Sequence, residues 1–216
     1  MDSEQFPFES KWIELNGNVI HYVDEGQRTG QVLLFVHPAL GCSFSYRKQM
    51  IKLRDDFRCR SFDFPGFGLS FPSSKYSYTL SEQADIVRSF VEALNLKSII
   101  IWANDAGGPS AISGLAPISD TVRGLVVGGT FGWSLKDYPG VTRMLRIVSS
   151  PVFRLVNRYA NLFGWPINFA IGTHSPSKTE KDQILRPLKE RNSRNRPLRL
   201  FRTFMDLRIE KHSIDR

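Results

Sequence analysis

The chain has 216 residues, of which 41% are hydrophobic and 12% aromatic, and its formal net charge is +8. This composition supports a hydrophobic core in one domain and excludes a disordered tail, a disulfide-stapled miniprotein and a collagen-like chain. Its two cysteines, Cys42 and Cys59, allow at most one disulfide, and no Cys/His spacing indicates zinc. No secretory signal is visible, and no apolar run reaches the roughly 18 residues of a membrane span. We therefore expect a cytoplasmic protein with no transmembrane segment, no metal and no cofactor.

The positive charge is concentrated in the last third of the chain. Residues 1–140 hold 13 basic and 15 acidic side chains, whereas residues 141–216 hold 16 and 6, a local balance of +10. Two interpretations are open: solvated helix faces on a neutral body, or a surface for an anionic partner such as a membrane. The first is favoured because no aromatic-interleaved nucleic-acid motif accompanies the arginines, and no nucleic-acid partner is expected.

The first half of the chain alternates short apolar runs with amphipathic segments of helix length. This order is typical of a mostly parallel sheet with covering helices. Thr79 and Glu82 form a capping-box pattern that predicts the start of a helix ending near Leu94. The predicted strands are residues 12–15, 19–23, 32–36, 57–62, 98–102 and 122–127, and further helices are predicted at 44–53 and 109–116.

After Gly128 the pattern becomes helical. Residues 141–163 place apolar side chains at three- and four-residue spacing with arginines between them, which predicts a helix with a cationic outer face, broken near Pro151. Helical stretches continue to about residue 207, and no strand pattern interrupts them. The expected organisation is an incomplete α/β core, residues 1–133, followed by a helical segment and tail, residues 134–216.

The sharpest chemical signal is the turn that contains Asp105. A predicted strand enters it and a predicted helix leaves it, and small residues stand two positions before and after Asp105, at Ala103 and Gly107. This is the pattern of a nucleophile elbow, where side chains near the strained turn would clash. A carboxylate there can attack an electrophilic sp3 carbon and form an alkyl ester. The alternative is that Asp105 only caps the following helix.

Several further segments occur in an order that resembles a known family. These segments are His37-Pro38-Ala39-Leu40-Gly41, residues 43–47 and 57–59, Asp63-Phe64-Pro65-Gly66-Phe67-Gly68-Leu69-Ser70, and residues 105–109 and 122–126. Residues 35–133 resemble the α/β-hydrolase fold and, within it, the haloalkane dehalogenases, with β-lactone decarboxylases of olefin synthesis and epoxide hydrolases as close relatives. The resemblance implies about six of eight strands, mostly parallel, a helical cap from residue 134, and a truncated C-terminal part.

By position, the resemblance makes Asp105 the nucleophile. It assigns the oxyanion or leaving-group pocket to the backbone N–H of Ala106 and to Pro38 and Ala39. Ala39 and Ala106 stand where the family carries halide-binding Asn and Trp side chains, and losing one such donor costs about 3 kcal/mol of transition-state stabilisation. Three aromatic residues are weaker candidates for a substrate pocket, with core packing as the alternative: Phe131, Trp133 and Trp165.

The catalytic base is the missing part of this assignment. In the family a histidine and its acid follow the seventh and eighth strands, and no such strands are predicted here. His37 is interpreted as a loop-ordering residue, and His21, His174 and His212 lack the required context. We expect a dehalogenase-like hydrolase for a small apolar substrate, impaired by the missing His/acid pair. The alternatives are a β-lactone decarboxylase or epoxide hydrolase, a non-catalytic remnant, and a protein that binds anionic surfaces.

The sixth strand raises a separate expectation. If no strand pairs with its outer edge, the apolar run at residues 125–127 stays exposed. Self-association through this edge is therefore expected.

Overall fold

The computed structural model describes residues 5–162, 177–191 and 193–204. Six strands form one sheet in the order β1-β2-β4-β3-β5-β6. The strands are β1 (Lys11–Leu15), β2 (Asn18–Gly26), β3 (Val32–Val36), β4 (Arg58–Phe62), β5 (Ile99–Asn104) and β6 (Val122–Gly128). The β1–β2 and β2–β4 pairs are antiparallel, and the β3–β4, β3–β5 and β5–β6 pairs are parallel. The predicted six-stranded, mostly parallel α/β sheet is confirmed.

The β1–β2 hairpin turns at Asn16 and Gly17, whose φ angles are +52° and +74°. Two successive positive φ values are what a tight hairpin turn requires, and Asn and Gly adopt them at low cost. The turn pairs Leu15 with Asn18. This register directs Leu15 and Ile20 into the core.

Seven α-helices lie in the described ranges, and short 3-10 turns precede or link some of them. They are α1 (Arg47–Leu53), α2 (Leu80–Ala93), α3 (Gly107–Leu115), α4 (Pro139–Ser149), α5 (Pro151–Ala160), α6 (Lys178–Lys189) and α7 (Arg196–Phe204). The predicted capping box is present: Glu82 N–H donates to Thr79 Oγ1 at 3.2 Å, and Thr79 N–H donates to Glu82 Oε2 at 3.0 Å. The helix predicted at 44–53 divides into a 3-10 turn, Ser43–Tyr46, and α1.

Strand β3 shows how the sheet separates two hydrophobic layers. Successive side chains of a strand point to opposite faces. Leu34 and Val36 pack in the layer that includes α2 and α3 side chains, whereas Leu33 and Phe35 pack in the layer that includes Met50 of α1. Because both faces of β3 are buried, its sequence is continuously apolar rather than alternating.

The helical segment confirms the break near Pro151 but not the expected direction of its apolar stripe. Ser150 caps α5 by accepting a hydrogen bond from Phe153 N–H at 3.1 Å. Met144, Val152 and Leu155, expected to face inward, are exposed. The buried position of α5 is Asn157, whose amide donates to the backbone carbonyl of Arg194 and to the side chain of Asn195. A polar contact therefore sets the inner face of α5.

Strand β6 lies at the end of the sheet order and pairs on one side with β5. Its residues Leu125, Val126 and Val127 are 46%, 41% and 48% exposed. Within the described ranges no strand follows β6. Among all the described residues, no helix is long and apolar enough to cross a bilayer.

Candidate active site

Asp105 lies in the sharp turn between β5 and α3, with φ at +50°. A non-glycine residue in this left-handed region is strained and needs support from its surroundings. Two hydrogen bonds to the Asp105 carbonyl supply that support: Gly108 N–H donates at 3.1 Å, and Thr130 Oγ1 donates at 2.6 Å. The turn has the local geometry of a nucleophile elbow.

Gly107 and Gly108 follow Asp105 at positions where neighbouring atoms approach the backbone too closely for a side chain. A Cβ atom on Gly107 would lie 2.5 Å from the carbonyl oxygen of Val36, and one on Gly108 would lie 1.8 Å from Oγ1 of Thr130. Both distances are far below van der Waals contact. Glycine at position 107 lets the start of α3 pack directly against the end of β3, and glycine at position 108 leaves room for the side chain of Thr130.

The loop after β3 contacts the Asp105 carboxylate. Ala39 N–H donates a hydrogen bond to Asp105 Oδ2 at 3.0 Å. No other described residue donates a hydrogen bond to this carboxylate, so Oδ1 keeps its lone pairs available. The structure thus brings together the predicted nucleophile and the predicted oxyanion loop. Pro38 supports the loop, because its carbonyl accepts a hydrogen bond from Gly41 N–H at 2.9 Å.

His37 orders this loop and is not free to act as a base. Phe64 N–H donates to Nε2 of His37 at 2.9 Å, so Nδ1 carries the proton and donates to the Pro38 carbonyl at 2.8 Å. Burial lowers the pKa of His37, against the opposing influence of Asp63 and of the Pro38 hydrogen bond. Both ring nitrogens of a neutral imidazole are occupied, as the loop-ordering interpretation predicts.

The other described histidine, His21, belongs to a buried pair with Asp63. Its Nδ1 lies 2.9 Å from Asp63 Oδ2, and its Nε2 lies 3.0 Å from Ser10 Oγ. Asp63 also accepts hydrogen bonds from Ser43 N–H at 2.6 Å and from Leu69 N–H at 2.9 Å. Burial acts to raise the pKa of Asp63, but hydrogen bonding and attraction to His21 outweigh it and lower the pKa. This pair joins β2 to two loops and does not reach the elbow.

An apolar cluster covers the elbow. Ala39 and Ala106 are buried in it, and helices α4 and α7 contribute side chains to it. The buried members are Ala39, Leu80, Ala106, Leu145, Leu200 and Phe204, with Phe131, Leu135 and Phe201 packed against them. The rings of Phe131 and Phe204 meet edge to face with centroids 5.1 Å apart. The two alanines therefore present methyl groups within a hydrocarbon environment.

The remaining sequence-predicted residues lie elsewhere. Trp133 is 55% exposed and lies outside this apolar cluster. Trp165, His174 and His212 fall outside the described residues. Within the described ranges, no group of three or more His, Cys, Asp or Glu side chains could hold a metal ion.

Several residues that build the site were missed by sequence reasoning. Thr130 supports the elbow carbonyl, and the Tyr46 hydroxyl donates to the Val36 carbonyl at 2.8 Å and lies 3.1 Å from Asn104 Oδ1. Thr130 follows β6 at the carboxyl edge of the sheet, a position that could have identified it. Leu200 and Phe204 share the i, i+4 spacing of one helix face, which predicts burial but not the surface against which they pack.

Comparisons with known proteins agree with this geometry. The profile of the α/β hydrolase fold matches residues 31–160. Haloalkane dehalogenase 2 of Mycobacterium tuberculosis is 36% identical over 176 residues, which are 82% of this chain and 60% of that protein. A cis-3-alkyl-4-alkyloxetan-2-one decarboxylase of Shewanella oneidensis is 33% identical over 61% of this chain and 42% of its own length.

The fold is also shared with solved structures. The crystal structure of haloalkane dehalogenase DbeA from Bradyrhizobium elkani superposes with a TM-score of 0.83 at 22% identity, over 92% of this chain and 70% of that one. The chain spans about 60% of the length of the dehalogenases it matches in sequence. The chain is similar in sequence to haloalkane dehalogenases. The family profile shows that the chain belongs to the α/β-hydrolase fold family, and the solved structures share this fold.

Proposed function

We propose that Asp105 is the nucleophile of a dehalogenase-like reaction on a small apolar substrate. In this reaction Asp105 Oδ1 attacks an sp3 carbon, the carbon–halogen bond breaks, and the halide leaves with the bonding electron pair. The product is an alkyl ester of Asp105. The observation that carries the proposal is the hydrogen bond from Ala39 N–H to Oδ2, which holds one carboxylate oxygen and leaves the other to react.

The surroundings favour an apolar electrophile. The cluster around Ala39 and Ala106 consists of hydrocarbon and aromatic side chains, and Phe131 lies at its border. Pro38, Ala39 and the Ala106 N–H would form the leaving-group side of the pocket. Trp133 and Trp165 remain candidates for the substrate pocket on the sequence alone. Asp105 is half-buried beside this cluster, so its carboxylate loses part of its hydration, which strengthens it as a nucleophile.

A ring-opening substrate is the second candidate. Neither Ala39 nor Ala106 offers a side-chain N–H to a departing halide, so the site supplies little stabilisation to a free anion. In an epoxide or a β-lactone the leaving oxygen stays attached to the substrate, and relief of ring strain assists its departure. Both substrate classes occur among the similar proteins, which include an oxetanone decarboxylase and an epoxide hydrolase.

Hydrolysis of the ester by the 216-residue chain is proposed to be slow. Water must be deprotonated by a base as it attacks the ester. The described histidines, His21 and His37, each use both ring nitrogens in other hydrogen bonds. The covalent ester should therefore accumulate rather than turn over.

The test is halide release from 1-bromohexane, compared between the wild-type chain and Asp105→Asn. The wild-type chain should release about one bromide per chain and then stop, and the variant should release none. Equal release by both proteins would support a non-catalytic remnant instead. Continuous turnover by the wild-type chain would contradict the proposed impairment while leaving the nucleophile in place.

We also propose two surface interactions and a cellular setting for the chain. Self-association through the exposed edge of β6 is proposed from its apolar residues. Binding to an anionic membrane surface is the less favoured proposal for the basic helical segment. A reducing, cytoplasmic setting is proposed for a chain whose Cys42 and Cys59 are both free and buried.

A further inference from the structure

A cleft of about 780 Å³ lies between the core helix α2 and the cap helices α5 and α7. Four arginines from three helices converge on it: Arg88 of α2, Arg154 of α5, and Arg199 and Arg202 of α7. We call it the arginine cleft. Asp105, Ala39 and Ala106 do not line it, although Leu80 belongs both to its lining and to the apolar cluster over the elbow.

The charge of the arginine cleft is poorly balanced by the protein. One acidic residue, Asp85, lines it, and its carboxylate already pairs with Arg88 at 2.5 Å. Within the described part of the chain, Arg154, Arg199 and Arg202 have no ion pair. Three arginines that line the cleft are therefore without a carboxylate partner among the described residues.

The arrangement of α7 carries an energetic cost. Arg199 and Arg202 stand three residues apart on one helix face, and like charges at this spacing destabilise a helix. Arg199 is held in place by the ring of Tyr78, with its guanidinium carbon 5.7 Å from the ring centroid. A bound anion would relieve the repulsion between Arg199 and Arg202.

The walls of the arginine cleft also offer hydroxyl groups. These groups belong to Ser77, Ser81 and Ser113, which form one part of the wall. Apolar side chains complete the lining beside them: Leu80, Ala84 and Leu198. Guanidinium groups, hydroxyl groups and apolar side chains together suit a ligand with an anionic head and an apolar body.

We propose that the arginine cleft binds a compound carrying a phosphate monoester group. Guanidinium groups match the oxygens of a phosphoryl group with paired N–H donors. The arginines are partly solvated, so binding weakens as salt screens their charges. The phosphate can belong to a soluble ester or to a lipid headgroup, since both present the same chemistry.

The test measures binding of phenyl phosphate by calorimetry, at constant ionic strength, to the 216-residue chain. Benzoate has the same ring with a single negative charge and should bind at least tenfold more weakly. Arg199→Gln/Arg202→Gln should weaken phenyl phosphate binding at least tenfold, because charge-assisted hydrogen bonds to the phosphoryl group are lost. The matched control is Arg143→Gln/Arg146→Gln, which removes the same charge from exposed positions of α4 outside the cleft and should change binding less than about twofold.

A second arm uses phosphatidylcholine vesicles with and without phosphatidic acid. Binding of phenyl phosphate without vesicle binding identifies a soluble ester as the source, and vesicle binding that depends on Arg199 and Arg202 identifies a headgroup. Equal losses in the two double variants would overturn the proposal, because they would show only general charge attraction. Absence of binding in both arms would also overturn it. Urea unfolding of each variant verifies that the fold is retained.

Discussion

Replacing Asp63 with asparagine tests the buried pair that anchors the active-site loops. The carboxylate accepts from Ser43 N–H on Oδ1 and from Leu69 N–H and His21 on Oδ2. An amide has one oxygen, so its NH2 group must face at least one of the two backbone N–H donors. His21 can change tautomer so that Nδ1 accepts a hydrogen bond from the amide NH2 group, but a backbone N–H can only donate.

The expected loss of stability follows from the number of hydrogen bonds that the amide cannot accept. One buried N–H is left without an acceptor, which costs about 1–3 kcal/mol, and a charge-assisted hydrogen bond is lost as well. We expect Asp63→Asn to lower the free energy of unfolding by about 3 kcal/mol, measured by urea denaturation with tryptophan fluorescence. The control Asp56→Asn is exposed and should stay within about 0.5 kcal/mol of the wild type. A similar small effect of Asp63→Asn would refute the assigned role of the pair.

Two further predictions concern acid stability and the sheet edge. Burial acts to raise the pKa of Asp24, but hydrogen bonds from Arg58 and Arg60 outweigh it and hold the pKa at about 2. The ionised Asp24 carboxylate therefore stabilises the fold fully above about pH 4, and this contribution is lost as the pH falls toward 2. After allowance for solvent screening, the contribution to the free energy of unfolding is about 1 kcal/mol. Acid titration of unfolding should show this loss, and Asp24→Asn should remove it; an unchanged profile in the variant would contradict the assignment. For the edge, Val126→Lys should reduce self-association in sedimentation measurements, whereas Val152→Lys, an equal charge change on exposed α5, should not. A wild-type chain that stays monomeric at all concentrations would exclude the edge contact.

The elements that the sequence predicts well are those specified by local patterns. The continuous apolar run of β3 and the capping box of Thr79 each predict an element from a few neighbouring residues. The predicted positions of both elements agree with the structure. The elbow at Asp105 was also recognisable, because its small neighbours are a local requirement of the turn. Local constraints of this kind do not depend on how the rest of the chain packs.

The remaining features depend on contacts between distant residues. The helical pattern of α7 predicts an apolar face but cannot show that Leu200 and Phe204 cover the elbow. In α5, Val152, Leu155 and Val156 are exposed, whereas Asn157 is buried and forms a polar contact with residues 194 and 195. Periodicity alone assigned the opposite face, since it cannot detect a polar partner about 37 residues away.

The proposal that Asp105 is the nucleophile is tested most directly by locating the alkyl group after reaction with 1-bromohexane. The wild-type chain is digested and each peptide is examined by mass spectrometry, with Asp105→Asn treated in parallel. Burial raises the pKa of the Cys42 and Cys59 thiols, so little competing alkylation is expected there. We predict a hexyl ester on Asp105 in the wild type and no adduct on that peptide in the variant. An unmodified Asp105 peptide, or a hexyl group on cysteine alone, would contradict the account.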